Sequence, residues 1–333
     1  MRTFLLADKK DDFLKISLII PCYNEEDNIK EIAESVYAVL KKIQEKDQAF
    51  IYEFIFVDDG STDSTREILF DIAKRDEKIK YILFSRNFGK ESAILAGLTY
   101  SSGDAVIIMD ADLQHPPDMI DPMLNEYKRG YDQVIARRDR KGETFSKTLF
   151  SKLFYKLSSK MMDVKLQDGV GDFRLLSRRA VDAVLHMNEY FRFSKGIFSW
   201  IGFKQKIIEY ENHPRYAGNT KWGMKSLLAY ALDGILSFNN KPLRICMKMG
   251  AVLIAGGVAY IFWNLVLIAM NGIVTPGYFT IVAAIIVIGG VQLFSIGVLG
   301  EYIGRIYFEV KKRPHYIVEG SNITPELQKE SRL

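Results

Sequence analysis

The sequence predicts an α/β fold with a mostly parallel sheet, joined to a hairpin of two membrane-spanning helices. Three features point to it. Short β-rich runs alternate with helical stretches between Ile16 and Tyr210, the pattern of βαβ units. Several of these runs end abruptly in carboxylates. Farther on, Met249 to Gly300 holds no Asp, Glu, Lys or Arg, and about 20 apolar residues make one helical crossing, so this stretch fits two.

Met1–Lys15 is too charged for a signal peptide, since Phe4-Leu5-Leu6-Ala7 is far short of an apolar core; residues 1–15 are expected to be a cytoplasmic extension. The α/β domain is placed over residues 16–225. Within it Ile16–Ile20, Phe54–Val57, Ile79–Phe84, Ala105–Met109 and Gln133–Ala136 read as strands, and Ile29–Ile43, Ser64–Lys74 and Lys90–Tyr100 as helices between them. In Lys147–Met162, the residues Leu149, Phe150, Leu153, Phe154, Leu157 and Met161 share one helical face, opposite Lys147, Lys152, Lys156 and Lys160. That pattern fits a helix lying on anionic lipid or an amphipathic helix packed on the sheet. Ser226–Phe238, within a juxtamembrane segment over 226–245, is similar but less basic.

The hairpin is placed over 246–304, with spans at Met249–Met270 and Phe279–Gly300 joined by the turn residues Asn271–Gly277. Lys241, Arg244 and Lys248 precede it, and Arg305, Lys311, Lys312 and Arg313 follow. The connecting loop carries no positive charge, so both ends of a multi-pass plasma (inner) membrane hairpin are expected in the cytoplasm. Residues 305–333 form a cytoplasmic tail, loose from Glu319 onward. Small residues in the first span (Gly250, Ala251, Ala255, Gly256, Gly257, Ala259), and Gly300-x-x-x-Gly304 at the end of the second, predict a homo-oligomer.

Composition narrows the function classes. The chain has 333 residues, 48% hydrophobic, with a net charge of +4, which argues against disorder and against general nucleic-acid binding. Its only cysteines, Cys22 and Cys246, make neither a disulfide framework nor a metal-ligand spacing. No Gly-x-Gly-x-x-Gly follows the first strand and no Walker A sequence is present, which excludes the commonest dinucleotide and P-loop readings. No internal repeat is evident.

Asp110-Ala111-Asp112 is the most informative stretch. It ends a buried parallel strand, where ligands of open α/β sheets sit. Two acids there call for a cation, and hard divalent ions such as Mg²⁺ or Mn²⁺ take oxygen ligands and bridge to substrate phosphates. Other strand ends converge on the same crevice. Pro21 is expected to stop the first ladder, Tyr23 offers a face for a nucleobase, and Glu25 lies beside them. Asp58 and Asp59, adjacent acids at the end of the second strand, are read as ligand contacts to a base or ribose, while Asp63 or Ser64 caps the next helix.

Pro21-Cys22-Tyr23-Asn24-Glu25-Glu26, Val57-Asp58-Asp59-Gly60-Ser61-Thr62-Asp63-Ser64-Thr65, Ser85-Arg86-Asn87-Phe88-Gly89-Lys90 and Met109-Asp110-Ala111-Asp112-Leu113-Gln114 together resemble family 2 glycosyltransferases. Among them the chain is similar to the polyprenyl-phosphate glycosyltransferases, such as bactoprenol glucosyltransferases and dolichyl-phosphate mannose synthase. The match continues through Arg137–Glu143, Gly171-Asp172-Phe173-Arg174-Leu175 and Arg215-Tyr216-Ala217-Gly218 into the hairpin. The resemblance implies a GT-A fold, a nucleotide-sugar donor contacted at Asn87 and Lys90 as well as the crevice residues above, a polyprenyl phosphate acceptor and inversion at the sugar carbon. It leans toward UDP-glucose and undecaprenyl phosphate. A flippase and a later glycosyltransferase of the same pathway are the further partners it implies.

Chemistry assigns roles within that frame. A departing diphosphate needs a cation, which Asp112 with Asp110 would hold, and Gln114 would point to the same side if the chain stays extended. A phosphate monoester has its second pKa at about 6, so the acceptor is largely ionised at neutral pH and needs little activation. Asp172 matches an acidic position near the reacting centre and is assigned as base or orienter, with a structural Asp172–Arg174 pair as the alternative. Arg137, Arg140, Arg215 and Lys221 are the candidates for the acceptor phosphate, since guanidinium forks match its oxygens. Two other classes compete. A processive polysaccharide synthase is disfavoured by the missing Gln-x-x-Arg-Trp sequence and by only two spans, and a silent lipid-carrier partner has no use for Asp110, Asp112 and Asp172.

Overall fold

A computed structural model describes residues 13–139, 170–211, 241–271 and 277–323. Eight strands among them form one sheet, in the order β7-β5-β6-β4-β1-β2-β3-β8. They are β1 (Leu14–Cys22), β2 (Phe50–Asp58), β3 (Ile79–Phe84), β4 (Ala105–Ile108), β5 (Gln133–Arg138), β6 (Val170–Ser177), β7 (Gln205–Tyr210) and β8 (Val318–Ser321). β1 is parallel to both β2 and β4, and β2 to β3; β6 runs antiparallel between β4 and β5, and β5 is parallel to β7. The mostly parallel sheet of the sequence reading is therefore present, with antiparallel insertions.

Helices cover both faces. They are α1 (Ile29–Lys46), α2 (Thr65–Arg75), α3 (Lys90–Tyr100), α4 (Ile120–Lys128), α5 (Arg178–Leu185) and α6 (Ser194–Trp200). Ile16, Leu18 and Ile20 of β1 pack with Ile29, Ile32, Val36 and Leu40 of α1 on one side. Ile19, Ile55 and Val57 pack with Ala93, Ile94 and Ala96 of α3 on the other. Burial on both faces is why the central strands are unbroken apolar runs rather than alternating ones. From β1 the chain winds outward through β2 and β3, then crosses back to place β4 on the other side of β1. The order reverses between β1 and β4, and the ends of these two strands open the crevice that such a switch point creates.

Two long apolar helices follow, α7 (Lys241–Asn271) and α8 (Tyr278–Lys311). Their stretches long and apolar enough to cross a membrane, Leu243–Leu267 and Val287–Lys311, are 0% buried in the chain, so they are not core helices of the α/β domain. Both helices run past the apolar stretches read from sequence, and Gly300 and Gly304 lie inside α8 rather than at its end. The expectation of a loose tail from Glu319 is corrected for residues 319–323, and residues 324–333 lie outside the described residues. β8 adds antiparallel to the β3 edge, Ile323 is buried, and Tyr316 stacks on Phe84 with ring centroids 5.0 Å apart. The surface segments Lys147–Met162 and Ser226–Phe238 lie outside the described residues, as do Arg140, Arg215 and Lys221.

Candidate active site

The loop after β1 and the loop after β2 interlock at the crevice rim. Asn24, in a left-handed conformation at φ 51°, donates its N–H to Ser61 Oγ at 2.8 Å and accepts the Thr62 N–H at 2.8 Å. The Glu25 N–H donates to Thr65 Oγ1 at 2.9 Å. Asp63 accepts the Thr65 N–H at 3.1 Å, so Asp63 rather than Ser64 serves the start of α2. Pro21 does not end the whole ladder: pairing with β4 stops at Ile19, but pairing with β2 continues through Pro21 to Cys22.

Asp58 and Asp59 have reasons within the chain for standing side by side, so no ligand is needed to explain them. The fully buried Asp58 carboxylate accepts Arg66 Nε at 2.7 Å and the Ser61 N–H at 3.2 Å. Asp59 accepts the Phe88 N–H at 2.6 Å and the Gly89 N–H at 2.9 Å, tying the second strand's loop to the segment that opens α3. Burial pushes the Asp59 carboxyl up to about 6, against the pull of those two N–H groups. Gly60, at φ +72°, lies against the same segment: a Cβ there would meet the Arg86 carbonyl carbon at 2.3 Å, so only glycine fits.

At the end of β4 the chain turns instead of staying extended. Leu113 is left-handed at φ 57°, and the Gln114 N–H folds back onto Asp112 Oδ1 at 3.2 Å. The extended geometry expected to align Gln114 with Asp112 is absent for that reason. Lys90, the first residue of α3, bridges Asp110 Oδ1 at 2.6 Å and Asp172 Oδ2 at 2.7 Å. Burial works against charge on both partners of the second pair, and the ion pair overrides it. Lys90 is held above its usual range by Asp110 and Asp172, and Asp172 below its usual range by Lys90 and then Lys195. Asp172 thus reaches the centre from β6 through Lys90. Arg174 instead donates to the Gly171 carbonyl at 2.8 Å, with its guanidinium over the Phe198 ring.

His115 is a site residue that the sequence reading did not single out. It is buried, stacks on Phe173 with centroids 4.8 Å apart, and its Nδ1 accepts the Asp110 N–H at 3.2 Å. Burial lowers its pKa, consistent with a neutral ring offering Nδ1 as acceptor. Its signal was a histidine three residues beyond an acid pair. Lys195 and Arg66 were also missed, one because its proximity to Asp172 is long-range, the other because it reads as an ordinary helix-surface arginine. Arg137, at the end of β5, is ion-paired with Glu209 of β7.

Oxygen donors at Asp110 and Asp112 suit a hard divalent cation. No group of three His, Cys, Asp or Glu gathers around them among the described residues, so such an ion would complete its shell with substrate oxygens and water. The site therefore brings three carboxylates together with Lys90 at a strand switch point, with Lys195 near enough to act on Asp172.

Comparison with known proteins agrees with this architecture. Residues 17–185 match the family described as glycosyl transferase family 2, and residues 241–306 match the GtrB C-terminal hairpin. The CsbB glycosyltransferase of Bacillus subtilis (strain 168) is 51% identical over 96% of this chain and 97% of its own. Glycosyltransferase sll0501 of Synechocystis sp. is 42% identical over 92% and 95%. A bactoprenol glucosyl transferase of Shigella phage SfII is 40% identical over 93% and 99%. With its crevice at the β1–β4 switch point and its apolar hairpin in the matching place, this chain belongs to glycosyl transferase family 2, in the group that carries the GtrB C-terminal hairpin.

Proposed function

We propose that the chain transfers a single sugar from a nucleotide-sugar to a polyprenyl phosphate, with inversion, at the cytoplasmic face of a membrane. The observation that carries this reading is Lys90, whose Nζ touches both Asp110 and Asp172. The acid expected beside the donor diphosphate and the acid expected beside the acceptor are within reach of one nitrogen. The similarity to a bactoprenol glucosyl transferase supports a polyprenyl phosphate acceptor and glucose as the sugar, and we take UDP as its carrier.

In the proposed reaction an ionised acceptor oxygen forms a bond to the sugar C1 as the C1–O bond to the nucleoside diphosphate breaks. Attack from the opposite face inverts that carbon. The phosphate is already deprotonated, so we assign Asp172 to orienting Lys90 and the acceptor rather than to proton abstraction. Tyr23, Glu25, Asp59 and Asn87 line the donor side and position the nucleotide, while Pro21 and Asp58 shape the loops that hold it. Mg²⁺ or Mn²⁺ at Asp110 and Asp112 would supply positive charge beside the leaving diphosphate. Gln114 belongs to the same turn. Arg137, with Arg140, Arg215 and Lys221, is assigned to the acceptor phosphate. α7 and α8 would insert as a hairpin with both ends cytoplasmic, bringing the crevice to the inner leaflet where the lipid presents its head.

The test is transfer of radiolabelled sugar from a panel of UDP- and GDP-sugars into undecaprenyl phosphate by purified full-length protein. Label from one donor, abolished by EDTA and by Asp112→Asn with the fold intact, is the expected result. No label from any donor would favour a silent lipid-carrier partner, and undiminished transfer by Asp112→Asn would remove the metal assignment.

A further inference from the structure

We infer that the segment following the membrane hairpin, Tyr316–Ile323, is a positioning element of the donor site, with Glu319 acting through Arg66. This rests on the reading of the β1–β4 crevice as a nucleotide-sugar site. Arg66 joins three strand ends with one guanidinium. Its Nε donates to Asp58 of β2 at 2.7 Å, its Nη2 to the Phe84 carbonyl of β3 at 2.6 Å, and its Nη1 to Glu319 of β8 at 2.9 Å. The guanidinium is a rigid planar fork, so engaging all three edges fixes its orientation.

Two of those partners lead directly into the donor loops. The Asp58 carboxylate holds the Ser61 N–H and so sets the turn that carries Asp59. Phe84 is followed by Ser85–Gly89, whose Phe88 and Gly89 N–H groups hold Asp59. A shift of Arg66 is transmitted to both loops at once, and Gly60 packed on Arg86 leaves no slack between them. The third partner is the only one that comes from beyond the hairpin.

β8 stays in place without the Glu319 carboxylate. Leu83 pairs with Gly320 and Ile82 with Ser321; the Ser85 N–H donates to the Ile317 carbonyl at 3.0 Å. The Asn322 side chain accepts the Tyr81 N–H at 2.7 Å and donates to the Ile79 carbonyl at 3.1 Å. Substitution at Glu319 therefore isolates its effect on Arg66. The Glu319 side chain is 55% exposed, so the effect is modest.

The experiment titrates full-length protein in detergent with UDP and Mn²⁺, then measures KM for the nucleotide-sugar and for undecaprenyl phosphate separately. Glu319→Gln is expected to raise the UDP dissociation constant and the donor KM by roughly two- to five-fold, the range for an exposed pair. Glu319→Lys, which sets a like charge against Arg66, is expected to raise both by roughly ten-fold. kcat and the lipid KM stay within about two-fold, a split that a merely structural role would not produce. Unchanged UDP affinity in Glu319→Gln, or a rise confined to the lipid KM, overturns the inference while leaving the donor site standing. Wild-type protein that binds neither UDP nor GDP overturns the donor-site reading and this inference with it.

Discussion

Asp59→Asn should stabilise the protein above pH 6 and destabilise it below pH 4, with the sign crossing between. Asp59 is 4% exposed, and burial raises its carboxyl from 3.8 to about 6. An acid whose folded-state pKa is raised favours folding while protonated. That contribution is complete below the unfolded value and is lost as pH climbs through the folded one. A shift of about two units corresponds to about 3 kcal/mol. Asparagine carries no such titration. It does lose an acceptor: the Phe88 and Gly89 N–H groups both reach Oδ1, at 2.6 and 3.1 Å, but the 2.9 Å contact of Gly89 with Oδ2 would face an amide N–H. That loss costs about 1 kcal/mol. The charge effect wins at pH 7.5 by about 2 kcal/mol, and the hydrogen-bond loss stands alone at pH 4. Melting curves of full-length wild-type and variant protein from pH 4 to 8 read the difference directly. For a domain of this size the gain at pH 7.5 corresponds to about 4–8 °C. A difference that stays constant across the range would show that Asp59 ionises without cost and refute the reasoning.

Gly60→Ala should lower the melting temperature sharply, because its Cβ would lie 2.3 Å from backbone and its φ of +72° disfavours any L-residue; the cost is about 2 kcal/mol or more. A melting temperature within a degree of wild type would mean that the two loops separate freely. Lys90→Met should abolish most transfer, about 100-fold or more in kcat/KM, and should enlarge the thermal stabilisation given by added Mn²⁺, since no ammonium then competes for Asp110. Equal Mn²⁺ stabilisation in both proteins would place the ion away from Asp110.

The central strands were legible because burial on both faces leaves continuous apolar runs. Ile79–Phe84 and Lys90–Tyr100 have the same bounds in sequence and structure, and β1 and β2 differ by a few residues at their ends. β6 was not read as a strand, since Gly171, Asp172 and Arg174 interrupt its apolar pattern with the groups that serve the crevice. β8, Val-Glu-Gly-Ser, alternates half-buried with exposed positions at a sheet edge and carries almost no hydrophobic signal. Its place depends on the chain returning across the hairpin to β3, which no local window contains. Asp110, Asp112 and Asp172 were found by motif, but that Lys90 would join Asp110 to Asp172 was not predicted. Leu113 is a residue type that gives no warning of a left-handed turn, so the fold-back of Gln114 was also invisible.

The charges of the site suggest which event most needs the distant arginines. Asp110, Asp112 and Asp172 bring three negative charges, set against Lys90 and the more distant Lys195, leaving an excess that a divalent cation would offset. In the proposed reaction a nucleotide-sugar diphosphate and a phosphate monoester each add further negative charge. Lys90 is already engaged by two carboxylates, so the acceptor must find cations elsewhere. Arg137 is the described candidate, and it is held by Glu209, whose carboxylate is 63% exposed. An exposed pair of this kind is weak and exchangeable, worth about 0.2–1 kcal/mol, so a dianionic phosphate can displace Glu209 at small cost. On the proposal that Arg137 serves the acceptor, its pair with Glu209 would hold the guanidinium until a better anion arrives, and acceptor capture should be more sensitive to ionic strength than donor capture.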